Sequence, residues 1–183
     1  MIDGLRHRDI RSFDMNTLQS TQISKPIRRM VNMREYGVTS YAFGDFNRIN
    51  VTLNGVTKHI SPLADANTYL WAALSPDAER IAFSEPFTGV YVSDNDGKNV
   101  VKLLNQGDYV CWAGPNTIIA VVSKNDGYIE TESRLVAVDT LTSSVEYLTP
   151  EGFLVGEAAA SASGLVIYSN FEGDMYMINI NDK

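Results

Sequence analysis

Residues 69 to 104 read YLWAALSPDAERIAFSEPFTGVYVSDNDGKNVVKLL, and this stretch decides the fold. Ile81-Ala82-Phe83 and Val90-Tyr91-Val92 are short runs rich in β-branched and aromatic residues, bounded by turn formers, which is the pattern of β-strands. Pro76 and Asp77 set a turn before Arg80, because proline presets φ and the Asp side chain accepts a hydrogen bond from backbone just ahead of it. Asp96-Gly97 closes a second tight hairpin, since glycine takes the positive φ it requires. The stretch therefore predicts consecutive antiparallel strands.

Working outward, the same pattern recurs. Strand-like runs start at Gly37, Glu79, Thr117 and Gly164, spaced by 42, 38 and 47 residues. Periods of about 40 to 50 residues match one four-stranded propeller blade. A finer repeat links Asp94 to Leu103, Asp139 to Leu148 and Asp14 to Ile23, each nine residues apart. These hairpins turn at Asp96-Gly97, over Thr140 to Ser144 and at Asn16-Thr17, and a fourth turns at Asn54-Gly55. Leu135 to Val138 and Met175 to Ile180 add further strands, and helical periodicity is nowhere sustained over three turns. The expected fold is all-β: a β-propeller domain over 1–183 with about four four-stranded antiparallel blades. A partial blade falls at 8–24 and blades at about 29–64, 65–106, 107–150 and 151–183, the last without its outer strand.

The motifs Ser75-Pro76-Asp77, Ile81-Ala82-Phe83, Tyr91-Val92 and Asp96-Gly97 resemble the repeat of the TolB-like (WD-repeat-like) propeller family. Trp112 to Asn116 and Ala160 to Gly164 replace the Ser-Pro-Asp turn in weaker copies. Ala78 stands where the family usually has glycine, which suggests a changed turn geometry. The resemblance implies a six-bladed propeller of which this chain is the C-terminal portion, starting in mid-blade. It also implies a periplasmic or secreted setting, although the first 25 residues lack the apolar core of a signal peptide. Open blade edges would then need cover, from another copy in a homo-oligomer or from a preceding segment.

Composition narrows the partners. A chain of 183 residues with 44% apolar content buries a substantial core, and its net charge of −7 disfavours nucleic acid, which is bound through clustered Lys and Arg. The charge is uneven: up to Arg34, seven Lys and Arg oppose three Asp, giving +4, and the remainder carries −11. That basic segment either lies on an acidic body or is solvated independently. Cys111 is the single cysteine, so there is no internal disulfide framework, and no apolar stretch approaches the roughly 20 residues of a membrane span.

In a propeller the loops between the second and third strands gather on one face. Here those loops each pair an acid with an aromatic: Asp45 and Phe46, Glu85 and Phe87, Asp126 and Tyr128 with Glu130, and Phe171 and Glu172. Such a ring suits a cationic or sugar-like ligand; alternatively the aromatics cap the blade edges. Ser123 to Ser133 is expected to be the longest loop and a partner contact, or else an extended hairpin. Asp94 to Gly97 is a turn and not a calcium loop, because neutral Asn105 occupies the place of the required Glu. Catalytic patterns are lacking: His7 and His59 are the two histidines, and no nucleophile elbow or phosphate-cradling loop occurs. No cofactor or metal is expected. The sequence favours a non-catalytic propeller module binding a protein or a saccharide. The alternative is an accessory portion of an envelope hydrolase or polysaccharide lyase with catalytic residues outside the chain.

Overall fold

The computed structural model describes residues 11–14, 19–22 and 39–181. Every regular element among them is a β-strand, as the sequence predicts, and no helix occurs among the described residues. The chain forms two compact units, 1–38 and 39–183. In the first, β1 (Arg11–Asp14) and β2 (Gln19–Gln22) make an antiparallel pair, Arg11 facing Gln22. The Asn16-Thr17 turn and, apart from the backbone of Arg11, the basic residues of the N-terminal segment lie outside the described residues.

The second unit contains four antiparallel sheets in chain order. The first has β3 (Tyr41–Asp45), β4 (Arg48–Leu53) and β5 (Val56–Ile60). The second has β6 (Leu70–Leu74), β7 (Arg80–Glu85), β8 (Gly89–Asp94) and β9 (Val101–Leu104). The third has β10 (Asp108–Trp112), β11 (Thr117–Asn125), β12 (Glu130–Asp139) and β13 (Val145–Tyr147). The fourth has β14 (Val155–Ala160), β15 (Leu165–Asn170) and β16 (Met175–Asn179). All are meanders, so each strand pairs with its sequence neighbour.

Why the second and third strands of the two middle sheets carry near-continuous apolar runs is visible in the packing. Successive side chains of a strand point to opposite faces, and here both faces are covered. Ile81 and Phe83 of β7 join Ile49 and Val51 of the first sheet in one core, while Ala82, on the other face, joins Ile118 and Val136 of the third. In the same way Ile119, Val121 and Leu135 pack on Val155, Val166 and Tyr168 of the fourth sheet. Each wholly buried Ile or Phe contributes about 1.5–3 kcal/mol relative to an exposed one. Polar ties reinforce the stack. Trp112 donates its indole N–H to Ala73 O at 3.0 Å, and the Arg80 guanidinium lies over Trp112 while bonding Thr140 and Asn116 in the third sheet.

The turns follow their residue types, with one correction. Asn54 and Gly55 both take positive φ (48° and 81°), the geometry of a two-residue hairpin. Asp77 accepts from the Ser75 hydroxyl and from Glu79 N, and Ser75 Oγ in turn accepts from Arg80 N. Ala78 does not change the turn: at φ 62° it adopts the left-handed conformation that glycine would hold there. The backbone hydrogen bonds of the turn, including Ala78 N to Ser75 O at 2.9 Å, over-determine that strain.

Two predictions follow from the packing and the turn. Ala78→Gly is expected to raise unfolding free energy by about 1 kcal/mol, because it relieves a left-handed alanine; urea denaturation measures it. Ile81→Asp or Val166→Asp, each placing a charge at a position without solvent contact, is expected to remove several kcal/mol and abolish cooperative unfolding. The same denaturation curves read that loss.

Candidate functional site

In the second, third and fourth sheets the first strand starts at the end where the second and third strands turn. Leu70 faces Ser84, Asp108 faces Val121 and Val155 faces Asn170. Each of these strands then slips register, between Leu70 and Ala73, between Asp108 and Cys111, and between Val155 and Ala158. Bulges of this kind re-aim side chains and are common beside functional sites. At the first bulge Trp71 has φ 48°, and at the second Tyr109 has φ 54°, a conformation rare for large residues. The corresponding place in β14 is Gly156, where an added Cβ would lie 3.0 Å from Ser169 Oγ and 3.2 Å from Asn170 O.

The two bulges bring their aromatic rings together. Trp71 and Tyr109 have ring centroids 4.3 Å apart, tilted by 34°, and Trp71 Nε1 donates to Asp108 Oδ1 at 3.2 Å. Beyond them opens a cleft of about 390 Å³, walled by Trp71, Tyr109 and Glu157 and floored by Ala159, Ile167 and Met175. Its field is negative. Burial pushes the Asp108 carboxyl up, the nearby Glu130 charge adds to this, and the Trp71 hydrogen bond opposes it. Tyr109 is likewise pushed up, by burial first and then by Glu157, Asp108 and Glu130. Among the described residues no Lys or Arg pairs with Asp108, Glu130 or Glu157.

The loop residues singled out from sequence lie at this end of the second to fourth sheets and, for Asp45 and Phe46, in the β3–β4 turn, where Phe46 O accepts from Tyr69 N at 2.6 Å just before β6; they do different things. The aromatics project into solvent: Phe46 is 78% exposed, Phe87 86%, Tyr128 96% and Phe171 54%. Most of the acids instead tie their own turns. Asp45 bonds Arg48 and Asn50, which hold it below the usual carboxylate range. Glu85 is only 3% exposed and accepts from Phe87 N at 2.9 Å and Thr88 Oγ1 at 2.7 Å. Burial pushes Glu85 up, yet those bonds together leave it below its ordinary value. Asp126 accepts from Ile129 N and Tyr128 N, which lower it. Glu172 is exposed in the turn between β15 and β16. Of the named acids only Glu130 bears electrostatically on Asp108 and Tyr109, from outside the lining of the cleft.

Ser123 to Ser133 is not a loop. It is the extension of the β11–β12 hairpin, with Ser123 facing Ser133, Lys124 facing Glu132 and a turn of four residues, 126–129. Its base is structural, because Ser133 Oγ donates to Val155 O at 2.6 Å and joins the third sheet to the fourth. Trp71, Asp108, Tyr109 and Glu157 escaped the sequence reading, which searched the turns. Superposing the repeats on the start of their first strands would have aligned Trp71 with Tyr109 and Gly156.

No known protein-family profile matches the sequence, and no curated protein matches it. Among solved structures, an oligogalacturonate lyase in complex with manganese matches with a TM-score of 0.52 at 13% identity, over 96% of this chain and 58% of that one. An oligogalacturonate lyase from Vibrio parahaemolyticus matches with a TM-score of 0.48 at 9% identity, over 98% and 58%. The chain thus spans less than two thirds of these structures. The first match and the stacked three- and four-stranded meanders together define the fold as part of a β-propeller.

The cleft makes a stability prediction with a definite sign. Because the folded pKa of Asp108 is raised, ionising it destabilises the fold as pH climbs through the carboxyl range. Asp108→Asn, which keeps an acceptor for Trp71, is expected to be more stable than the parent at pH 7. The difference should vanish toward acid pH, where the aspartate is protonated in both states. Urea midpoints across that range measure it.

Proposed function

We propose that this chain is a TolB-like propeller module that binds rather than catalyses, offering the loop end of its blades to a protein or a saccharide. The observation that carries this is the division of labour at that end. The acids Asp45, Glu85 and Asp126 stiffen their turns, and the adjoining rings of Phe46, Phe87 and Tyr128 are held out in solvent. Aromatic side chains fixed on short, hydrogen-bonded turns lose little entropy on binding and bury a large area, the usual character of interface anchors. Phe171 adds a ring at the same end of the fourth sheet.

The lyase neighbour supplies a fold and no chemistry. Its named substrate is a polyanion, which would meet like charge at Asp108, Glu130 and Glu157. Among the described residues no three His, Cys, Asp or Glu side chains converge to hold a metal ion, so the manganese of that structure is not carried over.

Phe87→Ser combined with Tyr128→Ser tests the proposal. Both side chains are exposed, so the unfolding midpoint should stay within about 0.5 kcal/mol of the parent. Retention on arrays of immobilised peptides and polysaccharides is expected to fall about tenfold or more. Replacing only the 126–129 tip with Asn-Gly should have a similar effect, whereas deleting 123–133 would also cut the Ser133 link and destabilise the fold. Unchanged retention in both tip variants would refute the assignment.

A further inference from the structure

From the cleft between the second, third and fourth sheets we infer that this module recognises an alkylammonium cation, seated on the Trp71 and Tyr109 rings with Asp108, Glu130 and Glu157 about it. The inference rests on the binding-module reading and gives it a ligand chemistry. Three features of the cleft converge on it. Its wall is a pair of touching aromatic rings, and Trp71 keeps 43% of its surface accessible. Aromatic faces attract cations through the ring quadrupole, most strongly for Trp. The remainder is apolar, with Ala159, Ile167 and Met175 beneath, which fits the carbon body of such a cation and repels a bare hydrated ion.

The charge balance chooses the cation over a neutral or acidic sugar. Asp108 is exposed at the start of β10, where it accepts from the Trp71 indole, Glu157 lines the cleft, and no described Lys or Arg pairs with either of them or with Glu130. An organic cation would offset the charge of Asp108 and its repulsion with the neighbouring carboxylates at once. A neutral sugar would leave both in place, and a uronate would add to the repulsion. A chelated metal is disfavoured too, because these carboxylates surround the rings without converging on one point.

Successive repeats place Trp71, then Tyr109, then Gly156 after the first residue of the first strand, and the series has no third ring: a Cβ at Gly156 would press on Ser169 and Asn170. The cleft opens from the two rings toward the fourth sheet, which supplies the rest of its lining. Both rings are held by backbone in the left-handed region, a conformation stabilised only by the surrounding register and so pre-organised before any ligand arrives.

The test is a titration of the full chain, followed by the NMR resonance of the Trp71 indole N–H, assigned with Trp71→Phe. Choline and N-acetyl-lysine methylamide are the two cationic arms, representing a free quaternary ammonium and a lysine side chain of a protein partner. The neutral choline isostere 3,3-dimethylbutanol and digalacturonate are the controls. Either cation should shift the resonance saturably, and whichever binds more tightly names the source. The neutral isostere should bind at least about tenfold more weakly. Asp108→Asn and Glu157→Gln should each weaken the cation several-fold while the urea midpoint is retained or raised. Equal binding of the isostere, tighter binding of digalacturonate, or no shift with either cation would overturn the inference. Those results would leave the Phe87 and Tyr128 tip experiment untouched, so failure of the ligand assignment and failure of the binding-module reading remain separable.

Discussion

Burial on both faces of the middle strands is the constraint on which the rest of this structure depends. A strand in an ordinary two-layer sheet packs one face and wets the other, and its sequence alternates. In β7 and β11 the alternate residues go to different neighbours: Ile81 and Phe83 to the first sheet with Ala82 to the third, Ile118 and Ala120 to the second with Ile119 to the fourth. Each sheet is therefore the core of the next. Stability is distributed along the series as nearest-neighbour interfaces, as in repeat architectures. That arrangement leaves the ends of the sheets free to differ without endangering the core.

Those free ends are where this chain is particular. The turn acids are engaged locally, in the Asx-type bonds of Asp77, Asp126 and Asp139 and the buried carboxylate of Glu85. Acid beside aromatic is thus two separate devices in most of the turns: a staple for the backbone and a ring displayed by it. Carboxylates without a Lys or Arg partner among the described residues stand instead near the starts of β10, β12 and β14. There the bulges at Trp71 and Tyr109 turn large side chains out of the pleat, and the strained backbone is stabilised by the sheets on either side. The frame thus holds the two rings and the Asp108 carboxylate in a fixed relation to one another.

How much of this could be read from the residues alone differs by element. The strands around Ile81, Val90 and Ile118, the Asn54-Gly55 and Asp96-Gly97 hairpins and the all-β class were legible, because strand period, turn chemistry and repeat length are local properties of sequence. Ala78 misled, since a missing glycine implies a different turn only if the fold will not bear a left-handed alanine. The stretch from Ser123 to Ser133 reads equally as a long loop or an extended hairpin, and strand pairing between Lys124 and Glu132 decides for the hairpin. Of the candidate site, the turns that pair an acid with an aromatic are named by the sequence and the Trp71–Tyr109 pair is not. Nothing local to Trp71 announces a bulge, which arises from the register of β6 against β7.

What the sequence by itself determined is the kind of unit and its repetition, since those follow from the preferences of each residue and its neighbours along the chain. Tertiary structure alone decided where charge and aromatic surface accumulate. Asp108, Glu130 and Glu157 stand on three different strands and act on Tyr109 only because the first strands of adjacent sheets lie side by side. An electric field depends on distance through space, and spacing along the chain does not record it.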